Sequence, residues 1–117
     1  MDEALFRTML FDFYGELLTD KQKEYFDLHY NDDLSLTEIA QSEGITRQGV
    51  WDIIRRAEES MRRFETKTGL VARFARERQL MDALEEKIET LIARSGEDAG
   101  ALAEDIRRDL QELRHGI

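Results

Sequence analysis

Residues 36–54 read LTEIAQSEGITRQGVWDII, and this stretch decides the fold. Ala40 lies inside a short amphipathic segment, Gly44 follows four residues later, and Val50 comes six residues after the glycine. A small residue lets a second helix cross closely, and glycine readily adopts the left-handed conformation that ends a helix. We therefore expect two helices joined by a tight turn. Four apolar side chains are expected to fill the wedge between them: Ile39, Ile45, Val50 and Ile53.

Hydroxyl residues mark where helices begin around this corner. Ser35 stands three residues before Glu38, and Thr19 stands three residues before Gln22. Both pairs have the spacing of a capping box, in which each side chain accepts a hydrogen bond from the backbone N–H of the other residue. Thr46 is a further N-cap. These signals predict helices over about residues 20–30 and 36–43, and a further helix that follows Thr46 and ends near Gly69.

An amphipathic helix is expected over residues 4–17, ahead of these three. Its apolar positions recur at spacings of three and four, which is the period of an α-helix with a broad apolar face. These positions are Leu5, Phe6, Met9, Leu10, Phe13, Tyr14, Leu17 and Leu18.

Two more helices, separated at Ser95 and Gly96, complete the chain. The first has a heptad-like stripe, formed by Leu70, Phe74, Met81, Leu84, Ile88 and Leu91. The second has a matching stripe, formed by Ala99, Leu102, Ile106, Leu110 and Leu113. Such stripes pack on one another, on their own domain or on a second copy, and their length favours a homodimer. The sequence thus predicts an all-α protein with a helix-turn-helix domain over 1–68 and a C-terminal helical extension over 69–117.

Composition limits the classes of function. The chain has 117 residues, a net charge of −9, no cysteine and no proline. The absence of cysteine excludes disulfides and thiolate-ligated metal sites. No apolar run approaches the roughly 20 residues of a membrane span, and the acidic start differs from a secretory signal. We expect a cytoplasmic protein without membrane contact, in which only a local basic patch would attract phosphates.

Part of the sequence resembles region 4 of sigma-70 factors. The resemblance lies in LTDKQKEYFDLHY at residues 18–30, LTEIA at 36–40 and TRQGVW at 46–51. A closer similarity, to the YlxM family of small bacterial helix-turn-helix proteins, lies in residues 10–22, LFDFYGELLTDKQ. This implies a three-to-four-helix DNA-binding unit related to winged helices. It also implies a link to the signal recognition particle, because the family's gene neighbours those of the particle's GTPases.

The resemblance also implies which residues would contact nucleic acid. In region 4 the second helix of the motif enters the major groove. The reading residues would then be Arg47, Gln48, Trp51, Asp52 and Arg55, with Arg56, Arg62 and Arg63 near phosphates. Two features depart from the sigma pattern. Trp51 replaces an arginine, and Asp52 places a negative charge where phosphate would approach.

Simpler interpretations stand beside these. The arginines would equally form a solvated face, paired at helical spacing with Glu58, Glu59 and Glu65. Trp51 would stack on a base or a partner, or else pack against the first helix or the C-terminal helices.

No arrangement of residues indicates catalysis, a cofactor or a metal. His29 and His115 lie far apart without a ligand set around them, and no nucleophile–base pair or phosphate-binding loop is present. We therefore expect a regulatory protein that binds DNA or RNA, with signal recognition particle components as partners, and not an enzyme. The alternative is a protein-interaction module that keeps the helix-turn-helix only as a scaffold.

Overall fold

The computed structural model describes residues 2–115, and these form six α-helices joined by short turns. The helices are α1 Glu3–Tyr14, α2 Asp20–Tyr30, α3 Leu36–Glu43, α4 Arg47–Thr68, α5 Leu70–Arg94 and α6 Glu97–His115. A 3-10 turn, Gly15–Leu17, follows α1. No β-strand occurs among residues 2–115, so the all-α prediction is confirmed and this part of the chain has no β-hairpin wing.

The capping signals fix where the helices begin. Thr19 and Gln22 form the capping box of α2, and Ser35 and Glu38 form that of α3. In the second box the Glu38 N–H donates to Ser35 Oγ and the Ser35 N–H donates to Glu38 Oε1, both at 3.0 Å. Hydrogen bonds to the Glu38 carboxylate from the backbone N–H and the side chain of Ser35 lower the pKa of this carboxyl. The predicted bounds of α2 and α3 therefore agree with the structure.

The chain divides after Val71 into two compact units, and α4 is the centre of the first. It packs against α1, α2 and α3, because its inward positions are apolar at the helical period. The core of this unit consists of Leu10, Tyr14, Leu18, Tyr25, Phe26, Ile39, Ala40, Val50, Ile54, Ala57, Met61 and Val71.

The turn between α3 and α4 has the geometry of a helix-turn-helix. Gly44 ends α3 with φ 69°, and the Ile45 N–H donates to the carbonyl of Ala40 at 3.2 Å. Thr46 then accepts from the Gly49 N–H at 3.0 Å and starts α4. Because the left-handed residue reverses the chain within three positions, the buried side chains of α3 face those of α4.

Between residues 2 and 68, four apolar residues expected on buried faces lie at the surface: Leu5, Phe13, Leu17 and Ile45. Ile45 is 40% exposed, although we expected it to fill the wedge, because the turn projects its side chain outward beside Gly49. Leu17 is exposed because α1 ends at Tyr14 and the 3-10 turn changes the helical phase. Leu5, near the start of α1, is also exposed. Of the four residues expected in the wedge, Val50 and Ile39 are fully buried and Ile53 is partly buried.

A hydrogen-bonded cluster closes the end of the first unit where α4 meets α5. The buried Tyr14 hydroxyl donates to Glu65 Oε1 at 2.6 Å and also contacts the hydroxyl of Thr68. The same carboxylate oxygen accepts from the Val71 N–H at 2.9 Å. Gly69, with φ 64°, separates the two helices. One carboxylate thereby ties α1, α4 and the first residues of α5 together.

The second unit is a helical hairpin formed by α5 and α6. Met81, Ile88, Ala103 and Leu110 form its buried seam, with Ile92 packed against them. Arg107 Nη1 lies 2.8 Å from Glu89 Oε1 on one side of this seam. On the same side, Arg114 bonds to Asp82 and Glu85, both at 2.8 Å.

The hairpin covers only part of the heptad stripe. Leu84, Ile88 and Leu91 are expected to be buried within the chain or against a second copy; within the chain Ile88 is buried, and Leu84 and Leu91 are half exposed. The reason is that α6 packs against one edge of the stripe, near Met81 and Ile88, and leaves the other edge open. None of the helices in the described part of the chain is both long and apolar enough to cross a membrane.

Candidate functional site

The outer face of α4 brings together most of the residues singled out in the sequence. Val50, Ile54, Ala57 and Met61 point into the core. Residues about half a turn away therefore face outward. This outer face consists of Gln48, Asp52, Arg55, Arg56, Glu59 and Arg63, with Arg47 and Trp51 at its edge. The helix has six basic and four acidic side chains, so it is locally positive in a chain whose net charge is −9.

Arg55 is held by two acidic residues of its own helix. Its Nη1 lies 2.6 Å from Glu59 Oε1, and its Nη2 lies 3.7 Å from Asp52 Oδ1. Gln48 also donates to Asp52, with Nε2 at 3.2 Å from Oδ1. The ion pair expected between the arginines and Glu59 is therefore present. These exposed pairs are weak in water, and a stronger anion would compete with them.

Three arginines on this helix form no ion pair among residues 2–115. They are Arg47, Arg56 and Arg63, and all three side chains are exposed. Arg63 donates only to the hydroxyl of Ser60, at 3.0 Å. Since phosphate contacts need cations that are not already neutralised, these three are the arginines of α4 best able to bind an anion.

Arg62 lies elsewhere, on the side of α4 that meets α1. Its guanidinium bonds to Glu58, with Nε 3.2 Å from Oε2, and pairs with Glu3. It also stacks over the Phe6 ring, 5.2 Å from its centroid. The structure therefore does not group Arg62 with the exposed arginines, and it places Arg62 in the packing between α1 and α4.

Arg7 and Glu58 form an ion pair between α1 and α4 that no local sequence pattern predicts. Arg7 Nε lies 2.6 Å from Glu58 Oε1, and its guanidinium lies 4.5 Å from the centre of the Tyr30 ring. Burial alone would raise the pKa of Glu58, but the hydrogen bonds and charges of Arg7 and Arg62 outweigh it and lower this pKa. The two partners are 51 positions apart, so no local pattern could have identified the pair.

Trp51 is 37% exposed and lines a shallow groove with Leu36, Arg47 and Gln48. Leu36 begins α3 and the other three lie in the first turns of α4, so the groove is a feature of the helix-turn-helix itself. An exposed indole beside an arginine suits stacking on a base or on a planar side chain. The groove is thus a second, more apolar contact surface next to the basic face.

The described residues contain no cluster of histidine and acidic side chains able to hold a metal ion. His29 instead bonds through Nδ1 to the backbone carbonyl of Leu34, at 2.8 Å, and so stabilises the turn before α3.

A protein-family model matches residues 1–97, and its description reads "Putative helix-turn-helix protein, YlxM / p13 like". The match includes the whole first unit and α5. The description names a helix-turn-helix family and no catalytic activity.

Relatives that match nearly the whole chain extend the similarity into α6. A UPF0122 protein of Thermoanaerobacter sp. (strain X514) is 43% identical over 113 residues, which are 96% of this chain and 97% of the relative. A UPF0122 protein of Geobacillus kaustophilus is 40% identical over 113 residues, 97% of this chain and 98% of the relative. A UPF0122 protein of Listeria innocua is 45% identical over 80 residues, 68% of this chain and 73% of the relative.

Proposed function

Because the chain belongs to the UPF0122 family of YlxM / p13-like helix-turn-helix proteins, we propose that it is a regulatory, cytoplasmic protein that binds nucleic acid through α4. It acts by binding and not by catalysis. The contact residues are Arg47, Gln48, Arg56 and Arg63, together with Arg55 once a phosphate displaces Glu59. Arg62 keeps its structural role beside α1, and Trp51 and Asp52 influence which ligands are accepted.

One observation supports this proposal above the others: three arginines that form no ion pair with the described residues 2–115 project from the second helix of a helix-turn-helix. That helix is the element that enters a groove in proteins with this motif. An acidic protein repels phosphates overall, so a locally positive helix is where any nucleic acid would approach.

The signal recognition particle is the target that we propose, on the strength of the family resemblance. Its RNA offers phosphates and unpaired bases, and aromatic or arginine side chains recognise such bases by stacking. Trp51 would suit this role better than the reading of duplex DNA. The particle's GTPase is a second contact within the same pathway, and a second copy of the chain is the remaining partner.

A protein-interaction function is the alternative, and the groove at Trp51 favours it. Trp51 and Leu36 offer an apolar surface beside Arg47, and tryptophan and arginine are enriched in interface hot spots. Salt distinguishes the two functions, because phosphate-driven binding weakens steeply with added salt and an apolar interface does not.

The test is a titration of labelled duplex DNA and of signal recognition particle RNA at two salt concentrations. We expect binding at low salt that weakens as salt is added. Arg56→Ala should weaken binding to all sequences about equally and lower the salt slope by about one unit, since it removes one phosphate contact. Asp52→Asn should strengthen nonspecific binding, because it removes a repulsive charge from the same face.

Arg108→Ala is the matched control, because Arg108 is an exposed arginine on α6 and its loss changes the net charge by the same amount. If Arg108→Ala weakened binding as much as Arg56→Ala does, overall charge and not α4 would be responsible. If the wild type bound neither nucleic acid at low salt, the protein-interaction function would take its place.

A further inference from the structure

The hairpin of α5 and α6 has an apolar face that nothing in its own unit covers. Leu84, Ile88, Ile106, Leu110 and Leu113 line one groove, together with Asp109. Leu91 follows Leu84 by seven residues and Leu102 precedes Ile106 by four, so helical periodicity extends the face along both helices. Six large side chains, Leu80, Leu84, Leu91, Leu102, Ile106 and Leu113, are between 43% and 63% exposed. So long an apolar face is unusual on a monomer.

Ion pairs cover the opposite side of the same hairpin. There Arg107 pairs with Glu89 and Glu104, and Arg114 pairs with Asp82 and Glu85. The hairpin is therefore two-sided, with its internal ion pairs on one side and its exposed leucines on the other. Only the apolar side is left to meet a partner.

The borders of the apolar face have opposite charges on the two helices. On α5, Lys87 and Arg94 each stand three residues after a face leucine, Leu84 and Leu91. On α6, Asp105 and Asp109 stand three residues after Leu102 and Ile106. The α5 border is thus positive and the α6 border is negative.

The ion pairs within the hairpin show which positions of α5 and α6 lie at the same height along the helix axes. Arg107 meets Glu89, and Arg114 meets Glu85. Because the two helices are antiparallel, counting back from these pairs places Lys87 level with Asp109. A partner hairpin that presents α5 to α6 would therefore bring a lysine directly opposite an aspartate.

We propose that two copies of this chain pair through these faces into a four-helix bundle, with α5 of each copy on α6 of the other. A two-fold axis parallel to the helices produces this arrangement and joins Lys87 of each copy to Asp109 of its partner. A two-fold axis perpendicular to the helices would put α5 on α5 and α6 on α6, so that like charges would meet along both borders. This arrangement gives the contact surface of the homodimer that the stripe lengths favour, and it does not depend on nucleic-acid binding.

Light scattering of the full chain, without nucleic acid, tests the pairing. We expect a dimer at micromolar concentration, with about twice the 13.7 kDa mass of one chain. Ile106→Glu should raise the dimer dissociation constant by about a hundredfold or more, because it places a carboxylate in the apolar face. Ala101→Glu is the matched control, since Ala101 is exposed on the outer side of the same helix, and it should leave the dimer intact. A monomeric wild type with full helicity, measured by circular dichroism, would overturn the proposal.

A charge exchange tests the orientation. Lys87→Glu and Asp109→Lys should each weaken the dimer, by about three- to tenfold, and the double variant should regain most of the lost affinity. Both positions are on the exposed border, so folding of the hairpin should be preserved, and circular dichroism verifies this. Recovery in the double variant supports the α5-on-α6 arrangement. Independent, additive losses would overturn that arrangement even if the protein were a dimer.

Discussion

The hydroxyl of Tyr14 is a polar group inside an otherwise apolar core, and its position explains how the first unit is closed. The residue is 2% exposed, and its hydroxyl reaches both Glu65 and Thr68. Burial, together with the neighbouring carboxylate of Glu65, raises the pKa of Tyr14, so the hydroxyl remains a donor at neutral pH. The bond to an acidic partner in a shielded place is stronger than an ordinary neutral one.

Replacing Tyr14 by phenylalanine isolates this bond. Tyr14→Phe should lower the free energy of unfolding by about 1.5–3 kcal/mol, because the Glu65 carboxylate loses a charged hydrogen bond in a largely buried place. Tyr30→Phe is the control, since the Tyr30 hydroxyl forms no hydrogen bond among residues 2–115 and meets Arg7 and Glu58 only through charge. It should change stability by less than about 0.5 kcal/mol. Urea unfolding followed by circular dichroism measures both, and equal effects would contradict the role of the hydroxyl.

For single residues, the sequence identified hydrogen-bond and ion-pair partners that are close in the chain better than distant ones. Gln22 and Glu38 were assigned to their capping boxes because both partners lie within four positions. Arg62 was expected near phosphates, whereas its partner Glu3 is 59 positions away and becomes visible only after folding. The helix face that carries the candidate site could therefore be predicted from the sequence. Which of its arginines form ion pairs could not.

The helix-turn-helix element depends on one backbone conformation at Gly44. An ideal Cβ built on Gly44 meets no atom within 4 Å, so an added side chain would be penalised only by the positive φ of 69°. Gly100, inside α6, also has open space around it, but its φ is not positive. The two glycines therefore separate backbone strain from crowding.

Substitution by alanine should have opposite effects at these two glycines. Gly44→Ala should destabilise the first unit by about 1–2 kcal/mol, because an L-residue is strained in the left-handed region. Gly100→Ala should stabilise α6 by about 0.5–1 kcal/mol, because alanine is the better helix former. Thermal unfolding monitored at 222 nm by circular dichroism distinguishes the two directions. Destabilisation by both substitutions would mean that packing and not φ governs these positions.

For whole elements, periodicity predicted where helices lie and failed to predict which edge of a stripe is covered. Leu84 and Ile88 belong to one heptad stripe, yet α6 covers only Ile88. A stripe wider than its partner helix always leaves one edge open, and the sequence does not state on which side the partner lies. The same limit applies to Ile45, whose direction is set by the turn and not by a helical repeat.

Seen as a whole molecule, the chain changes from one unit to the next inside the first turns of α5. The sequence places this boundary between residues 68 and 69, and that position stays a prediction. Val71 is fully buried in the first unit, and its N–H donates to Glu65. We therefore propose that a stable helix-turn-helix domain extends through residue 71 or 72.

Two fragments test this boundary. A fragment of residues 1–72 should be more stable than one of residues 1–68 by about 1.5–3 kcal/mol, which is the usual contribution of burying a valine side chain. Urea unfolding of both fragments gives the comparison. Equal stability would return the boundary to residue 68.

The pairing of Arg55 with Glu59 has a consequence for selectivity. Glu59, four residues from Arg55 on the same helix, competes with any approaching phosphate for the Arg55 guanidinium. This competition does not depend on the nucleotide sequence that carries the phosphate. If α4 binds nucleic acid as proposed, a phosphate in random nucleic acid is often poorly placed and gains little from displacing Glu59. A well-placed target phosphate gains more than the few tenths of a kcal/mol that an exposed pair of this kind contributes. In a cell where nonspecific sites outnumber the target by about a millionfold or more, such an internal competitor would add a small measure of discrimination while lowering affinity for both.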